Sequence, residues 1–280
     1  MSIIMGPAVM FTPANRPERF ATGAQRADMI ILDLEDGAGP HEREEARANI
    51  IASNLDPAYT IIRTVSPDTD GFADDVAAVR QTAYTTVMVP KVIDTIPAEL
   101  DGYNVIAMLE TPQAVVHLEK LAQVDNLVGF LWGAEDLTVR LGGTHSRLRD
   151  DELAATGYDL TAKHRPYRSS MTYVRERMLL TAAAYGKFCL DAVFADFSDL
   201  DGLYVEALDA ARSGFIGSAI IHPAQAETVR RAYAPEPAAV EWAERVVAES
   251  AHHPGAFQLD GEMVDAPLIE QARIVLSRVC

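Results

Sequence analysis

Short apolar runs alternate with amphipathic stretches along nearly the whole chain. Eight of the runs read as strands: AVMF (8–11), MIILDLE (29–35), TIIRTV (60–65), TTVMVPK (85–91), VIAMLE (105–110), LVGFLWG (127–133), FCLDAVF (188–194) and SAIIHP (218–223). They are rich in Val, Ile, Leu and Met and rarely alternate polar with apolar, as in strands covered on both faces. Helical patterns lie between most of them. HEREEARANIIAS carries acids first and bases later, which suits the helix dipole. TPQAVVHLEKLAQ has Pro in its first turn, and MTYVRERMLLTAAAYG and LDGLYVEALDAARSG end in Gly. VIDTIPAELDGYN, interrupted by Pro97, predicts a degenerate helix.

This repetition predicts an α/β chain folded as a (β/α)8 TIM barrel with right-handed crossovers. A doubly wound open sheet is the alternative, but the GxGxxG fingerprint of a dinucleotide fold is missing. The barrel is assigned to residues 1–233. The tail, 234–280, carries two helical patterns around a Gly-rich turn and exceeds what a barrel needs, so it reads as a lid or an oligomerisation arm. LGGTHSRLRDDELAATGYDLTAKHRPYRSS (141–170) is a long polar excursion between the sixth and seventh strands, of the kind that is usually functional or mobile.

A net charge of −17 argues against nucleic acid or an anionic membrane as the main partner, while leaving room for a small anionic substrate at a local basic patch. Two cysteines, Cys189 and Cys280, make no disulfide framework, which favours a reducing cytoplasm, with Cys189 a buried apolar residue. There is neither a signal-peptide pattern nor an apolar run long enough to span a membrane.

Candidate chemistry sits where apolar runs end in carboxylates. Glu110 and Asp136 close two consecutive strands, and barrel active sites lie at that end. Adjacent carboxylates repel unless a cation or a proton lies between them, which points to a Mg2+ site with both as direct ligands. LDLEDG (32–37) adds Asp33, Glu35 and Asp36; Glu35 and Asp36 read as acceptors for metal-bound water or for an arginine. Arg63 interrupts the third strand. It is either ion-paired with an acid of the second strand or aimed at a substrate carboxylate or developing enolate. Arg16, Arg19 and Arg26 could form a phosphate-binding patch. Lys91 invites a Schiff-base reading, but a metal site usually replaces one. His222 reads as a rim histidine and His117 as structural or exposed. Asp265, among Met263, Val264 and Ala266, is a helix N-cap or a mobile catalytic acid.

LDLEDG, the Arg-bearing third strand, VMVPK, VIAMLETPQA, LWGAEDL, IHPAQ and GEMVDAPL occur in one order across nearly the whole chain. In this the chain resembles the citrate lyase β-subunit-like proteins of the HpcH/HpaI aldolase superfamily, relatives of malyl-CoA and citramalyl-CoA lyases. The resemblance implies a Mg2+-dependent barrel that cleaves or forms a C–C bond beside a CoA thioester. It implies metal binding by Glu110 and Asp136, contact of Arg63 with the acyl group, and a lid acid, Asp265, that completes a neighbouring subunit's site in a trimer. Thr22 stands where that family often carries a basic residue. The alternatives are a CoA-independent, pyruvate-type aldolase and a citrate lyase subunit inert outside its complex.

Overall fold

A computed structural model describes residues 4–161 and 164–279. Cys280 lies outside them. The strands are β1 (Ala8–Pro13), β2 (Met29–Asp33), β3 (Thr60–Arg63), β4 (Thr86–Val89), β5 (Asn104–Leu109), β6 (Leu127–Trp132), β7 (Phe188–Asp191) and β8 (Gly217–Ile220). They pair in parallel in chain order, and β1 pairs with β8 to close the barrel. Around it lie α1 (Phe20–Arg26), α2 (Arg43–Ala52), α3 (Phe72–Val79), α4 (Pro112–Val116), α5 (Leu118–Ala122), α6 (Ala134–Arg140), α7 (Asp150–Ala154), α8 (Ser169–Ala184), α9 (Leu200–Ser213) and α10 (Gln225–Tyr233). All eight expected strands are present. TPQAVVHLEKLAQ is two helices rather than one, because exposed His117 leaves the helical conformation between α4 and α5. After Pro97 there is a single 3₁₀ turn, Ala98–Leu100. Gly214 ends α9 at φ +116°, a left-handed cap that costs glycine nothing.

Strand alternation explains both the core and the site. Val9, Met29, Ile31, Ile61, Met88, Ile106, Met108, Leu131, Leu190 and Ala219 form one buried cluster inside the barrel. Their neighbours Ile30, Leu32, Ile62, Val87 and Val89 are equally buried on the outer face, which is why the runs are apolar throughout. Two residues beyond Ile31, Ile61 and Met108 come Asp33, Arg63 and Glu110. The period that fills the barrel therefore lifts these three groups into its mouth.

The excursion after β6 is tied down. Leu148 N–H donates to Pro166 O and Arg168 N–H to Ser146 O, so its two ends pair with each other. Buried Glu206 of α9 fastens it: Arg147 Nη2 lies 2.7 Å and His164 Nε2 3.3 Å from Oε2, and the Tyr167 hydroxyl donates to Oε1 at 3.1 Å. The Arg147 guanidinium also lies over the Tyr167 ring.

The chain divides into a unit ending at Val229 and a smaller one beginning at Arg230, whereas the sequence reading put the boundary after residue 233. The smaller unit holds α11 (Pro237–Ser250), an antiparallel hairpin of β9 (Phe257–Leu259) and β10 (Glu262–Val264), and α12 (Ala266–Ser277). Ala243, Val246, Phe257, Val264 and Ala272 form its own core. The hairpin escaped the pattern because each strand is three residues long. Cys189 is buried. No helix among the described residues is long and apolar enough to cross a membrane.

Removing Glu206 leaves Arg147 half-enclosed without its carboxylate. Glu206→Ala is expected to cost about 3 kcal/mol in urea denaturation. Limited proteolysis should then cut between residues 150 and 165 before the barrel is attacked.

Candidate active site

A cavity of about 360 Å³ opens at the C-terminal ends of the strands, lined in part by Asp33, Asp36, Arg63, Glu110, Glu135 and Asp136. Arg63 organises one side of it. Its Nε and Nη2 donate to the two oxygens of Asp33, each at 2.6 Å. Nη2 also reaches Asp36 at 3.3 Å, and Nη1 lies 3.0 Å from Glu35 Oε2 without hydrogen-bond alignment. The guanidinium stands 4.7 Å from the centre of the Phe11 ring. Burial alone would favour loss of its proton, but Asp33, Glu35 and Asp36 outweigh that and hold it charged. Asp33 also accepts from Glu35 N–H at 3.0 Å and Gly37 N–H at 2.7 Å, so the LEDG turn is wound around the same carboxylate. The ion pair with an acid of the second strand is thus present, and Nη1 is shared between Glu35 and the Met108 sulfur, to which it donates at 3.9 Å.

Glu110 is 1% exposed just past β5. Burial pushes its carboxyl up to about 8, and repulsion from Glu35 and Asp136 adds to this, only partly offset by Lys91. The backbone N–H of Lys91 donates to Glu110 Oε1 at 2.7 Å. Its ammonium is hydrogen-bonded to Glu35 and lies 3.8 Å from Asp136. Burial pulls the Lys91 amine down, but Glu35 and the charges of Glu110 and Asp136 more than reverse it. A lysine held so firmly protonated is a poor Schiff-base nucleophile.

Gly133 opens α6 beside Glu110, where a Cβ would come within 2.8 Å of Glu110 Oε2. The next turn delivers Glu135, which accepts from Ser146 Oγ at 2.6 Å, and Asp136. Two carboxylates, one nearly buried and one half-exposed, fit a hard divalent cation that keeps several waters. Among the described residues no group of three or more His, Cys, Asp or Glu side chains forms an all-protein cage. The contacts of Glu35 and Asp36 are with Arg63 and Lys91.

The remaining candidates are dispersed. Arg16 and Arg19 flank the turn after β1 and are both exposed. Arg26 closes α1, two residues before Asp28, whose N–H pairs with Ala8 O at the start of β1. It therefore stands at the other end of the barrel, because the helix runs back against the strand. His222 is exposed and stacks on Phe197. Asp265 occupies the N-cap position of α12, but its side chain accepts no capping hydrogen bond. Sequence reasoning missed Glu135 and Gly133. The signal was the Gly before a helix whose first turn holds two acids.

The chain matches the HpcH/HpaI aldolase/citrate lyase family over residues 8–101 and 95–223. It is 42% identical over 274 residues to the citrate lyase subunit beta-like protein of Mycobacterium tuberculosis, covering 98% of this chain and 95% of that one. It is 26% identical to the mitochondrial citramalyl-CoA lyase of Homo sapiens, covering 95% and 83% respectively. Among solved structures, CitE from Mycobacterium tuberculosis in complex with magnesium, acetoacetate and coenzyme A superimposes with a TM-score of 0.87 at 42% identity, over 99% of each chain.

Glu110 has a testable signature. From about 4.5 up to about 8 the folded, metal-free chain keeps a proton on Glu110 that the unfolded chain releases. Stability from this group therefore falls as pH rises through that window, by up to ~1.4 kcal/mol per pH unit. In EDTA, wild type is expected to lose thermal stability relative to Glu110→Gln as pH rises from about 4.5 to about 8. A constant difference between the two proteins would contradict the assignment.

Proposed function

The chain belongs to the HpcH/HpaI aldolase/citrate lyase family and is a carbon–carbon lyase; on that footing we propose that it cleaves, or in reverse forms, a hydroxyacyl-CoA thioester, giving acetyl-CoA and an oxo acid. The observation that carries this reading is the buried carboxyl of Glu110 beside Asp136, facing Arg63 across the same cavity. The magnesium, acetoacetate and coenzyme A bound to the Mycobacterium tuberculosis relative support it.

Glu110 and Asp136 would hold Mg2+. Bound there, the ion would supply a Lewis-acid centre for the substrate's carboxylate and adjacent hydroxyl oxygen. The rest falls to side chains. In cleavage the hydroxyl would give its proton to solvent, its oxygen would form the new carbonyl as the bond between its carbon and the α-carbon breaks, and that bond's electron pair would pass to the thioester. Arg63, fixed by Asp33, presents Nη1 to that developing enolate oxygen. Asp265 protonates the α-carbon, and in the synthetic direction it is the base. Its carboxylate is not engaged as a cap, which suits this role. We assign Asp265 to the site of a neighbouring copy in a trimer that shares active sites. Arg16 and Arg19 would meet the anionic phosphates of CoA, and Arg26, at the far end of α1, would not.

Incubation with Mg2+ and malyl-, citramalyl-, citryl- and hydroxymethylglutaryl-CoA is expected to release acetyl-CoA from at least one. Turnover of CoA-free hydroxy-oxo acids alone would instead select the pyruvate-type aldolase, a reading that Thr22 favours. Asp136→Asn and EDTA should each abolish activity with the fold intact by circular dichroism. Arg63→Lys keeps the charge but loses the planar fork, so kcat should fall about 10²–10³-fold. Wild-type turnover in that variant would remove the role given to the guanidinium.

Asp265→Asn should bind substrate and Mg2+ but lose turnover. Mixing it with Asp136→Asn subunits, under conditions of demonstrated exchange, should restore part of the activity. No recovery would mean that the acid serves its own barrel or none.

A further inference from the structure

Lys91 is a cation beside Glu110 and Asp136 that the proposed reaction does not use. It follows Pro90 at the end of β4 and holds φ at +52°, in the left-handed region that a lysine rarely adopts. That conformation aims its backbone N–H at Glu110 Oε1, 2.7 Å away. Its side chain runs to Glu35 and stands 3.8 Å from Asp136 Oδ1. One residue thus meets Glu110 through its backbone and Asp136 through its ammonium, while Glu35 fixes it from a third direction. Arg63 also faces Glu35, so neither cation can withdraw without leaving that carboxylate to the other.

We propose that Lys91 is an internal counter-ion of the acid pair: it holds down the affinity for bare Mg2+ and makes the metal and an anionic substrate bind as a pair. This rests on the assignment of Glu110 and Asp136 to Mg2+. A fixed ammonium beside a divalent cation repels it, and in a half-enclosed mouth that repulsion exceeds a tenfold effect on binding, even at an effective dielectric of about 20. A carboxylate arriving with the metal meets both positive charges and relieves the repulsion. Lys91 acts through the site's charge and through Glu110, and so is a positioning residue.

Calorimetric titration of Mg2+, with and without pyruvate as the anionic probe, tests this on the full chain. Lys91→Met keeps the backbone donor and removes the charge. It is expected to bind Mg2+ alone at least about tenfold more tightly than wild type. Pyruvate should then strengthen Mg2+ binding by a smaller factor than in wild type. Lys91→Arg should stay close to wild type in both. Equal or weaker binding of Mg2+ by Lys91→Met, or an unchanged pyruvate factor, overturns the inference. Absence of Mg2+ binding in wild type and variants alike would instead overturn the metal assignment beneath it.

A second measurement needs no neutral variant. The chain has four lysines. After reductive ¹³C-methylation, which preserves the charge, the Lys91 resonance is identified by its loss in Lys91→Arg. Mg2+ should move that resonance and leave the others in place. A Lys91 signal that stays fixed at saturating Mg2+ overturns the proposal.

Discussion

A guanidinium buried inside the mouth of a barrel has to be matched there, and much of the site follows from matching Arg63. It sits on the inner face because Ile61 does, two residues earlier. A buried charge without a partner is severely destabilising, so the neighbouring strand answers with Asp33, which takes two of its hydrogen bonds. Asp33 then uses its remaining capacity on Glu35 N–H and Gly37 N–H. That draws the turn after β2 inward and sets Glu35 between Arg63 and Lys91. The carboxylate that bridges these two cations is therefore placed by an arginine on the next strand.

The acids outnumber the cations in this mouth. Asp33 is spent on Arg63 and Glu35 is shared with Lys91, which leaves Glu110 and Asp136 without full compensation. In the nearly buried position, Glu110 keeps its proton instead. The free chain thereby stores a neutral acid where we propose that the divalent cation binds. On that reading proton release and metal uptake are coupled.

The barrel was legible because burial on both faces leaves unbroken apolar runs, and each of the eight contains a strand, although all but β1 stop short of the run's end. Arg63 was legible because it breaks such a run and Glu110 because it follows one directly, whereas Asp136 stands further on, in the first turn of α6. What was not legible depends on side chains far apart in sequence. Glu206 lies in an ordinary helical pattern, and only the fold shows that Arg147, His164 and Tyr167 meet there. Lys91 carries no sequence mark of its left-handed backbone beyond the preceding proline. Arg26 was grouped with Arg16 and Arg19 because they are close in the chain, but α1 carries it away toward the start of the strands. The β9–β10 hairpin was too short for any period to register.

The fastening of the excursion bears on the site as well. Its two ends are stapled to each other at Leu148–Pro166 and Ser146–Arg168, and one carboxylate on α9 holds the base. Closure of the barrel runs through the pairing of β6 with β7 and does not involve the stretch between those staples. Yet the base of the same segment reaches the cavity through Ser146 and Glu135. The segment's anchor and the rim of the cavity are therefore one piece of structure, so a change in how the excursion is fastened is felt at Glu135.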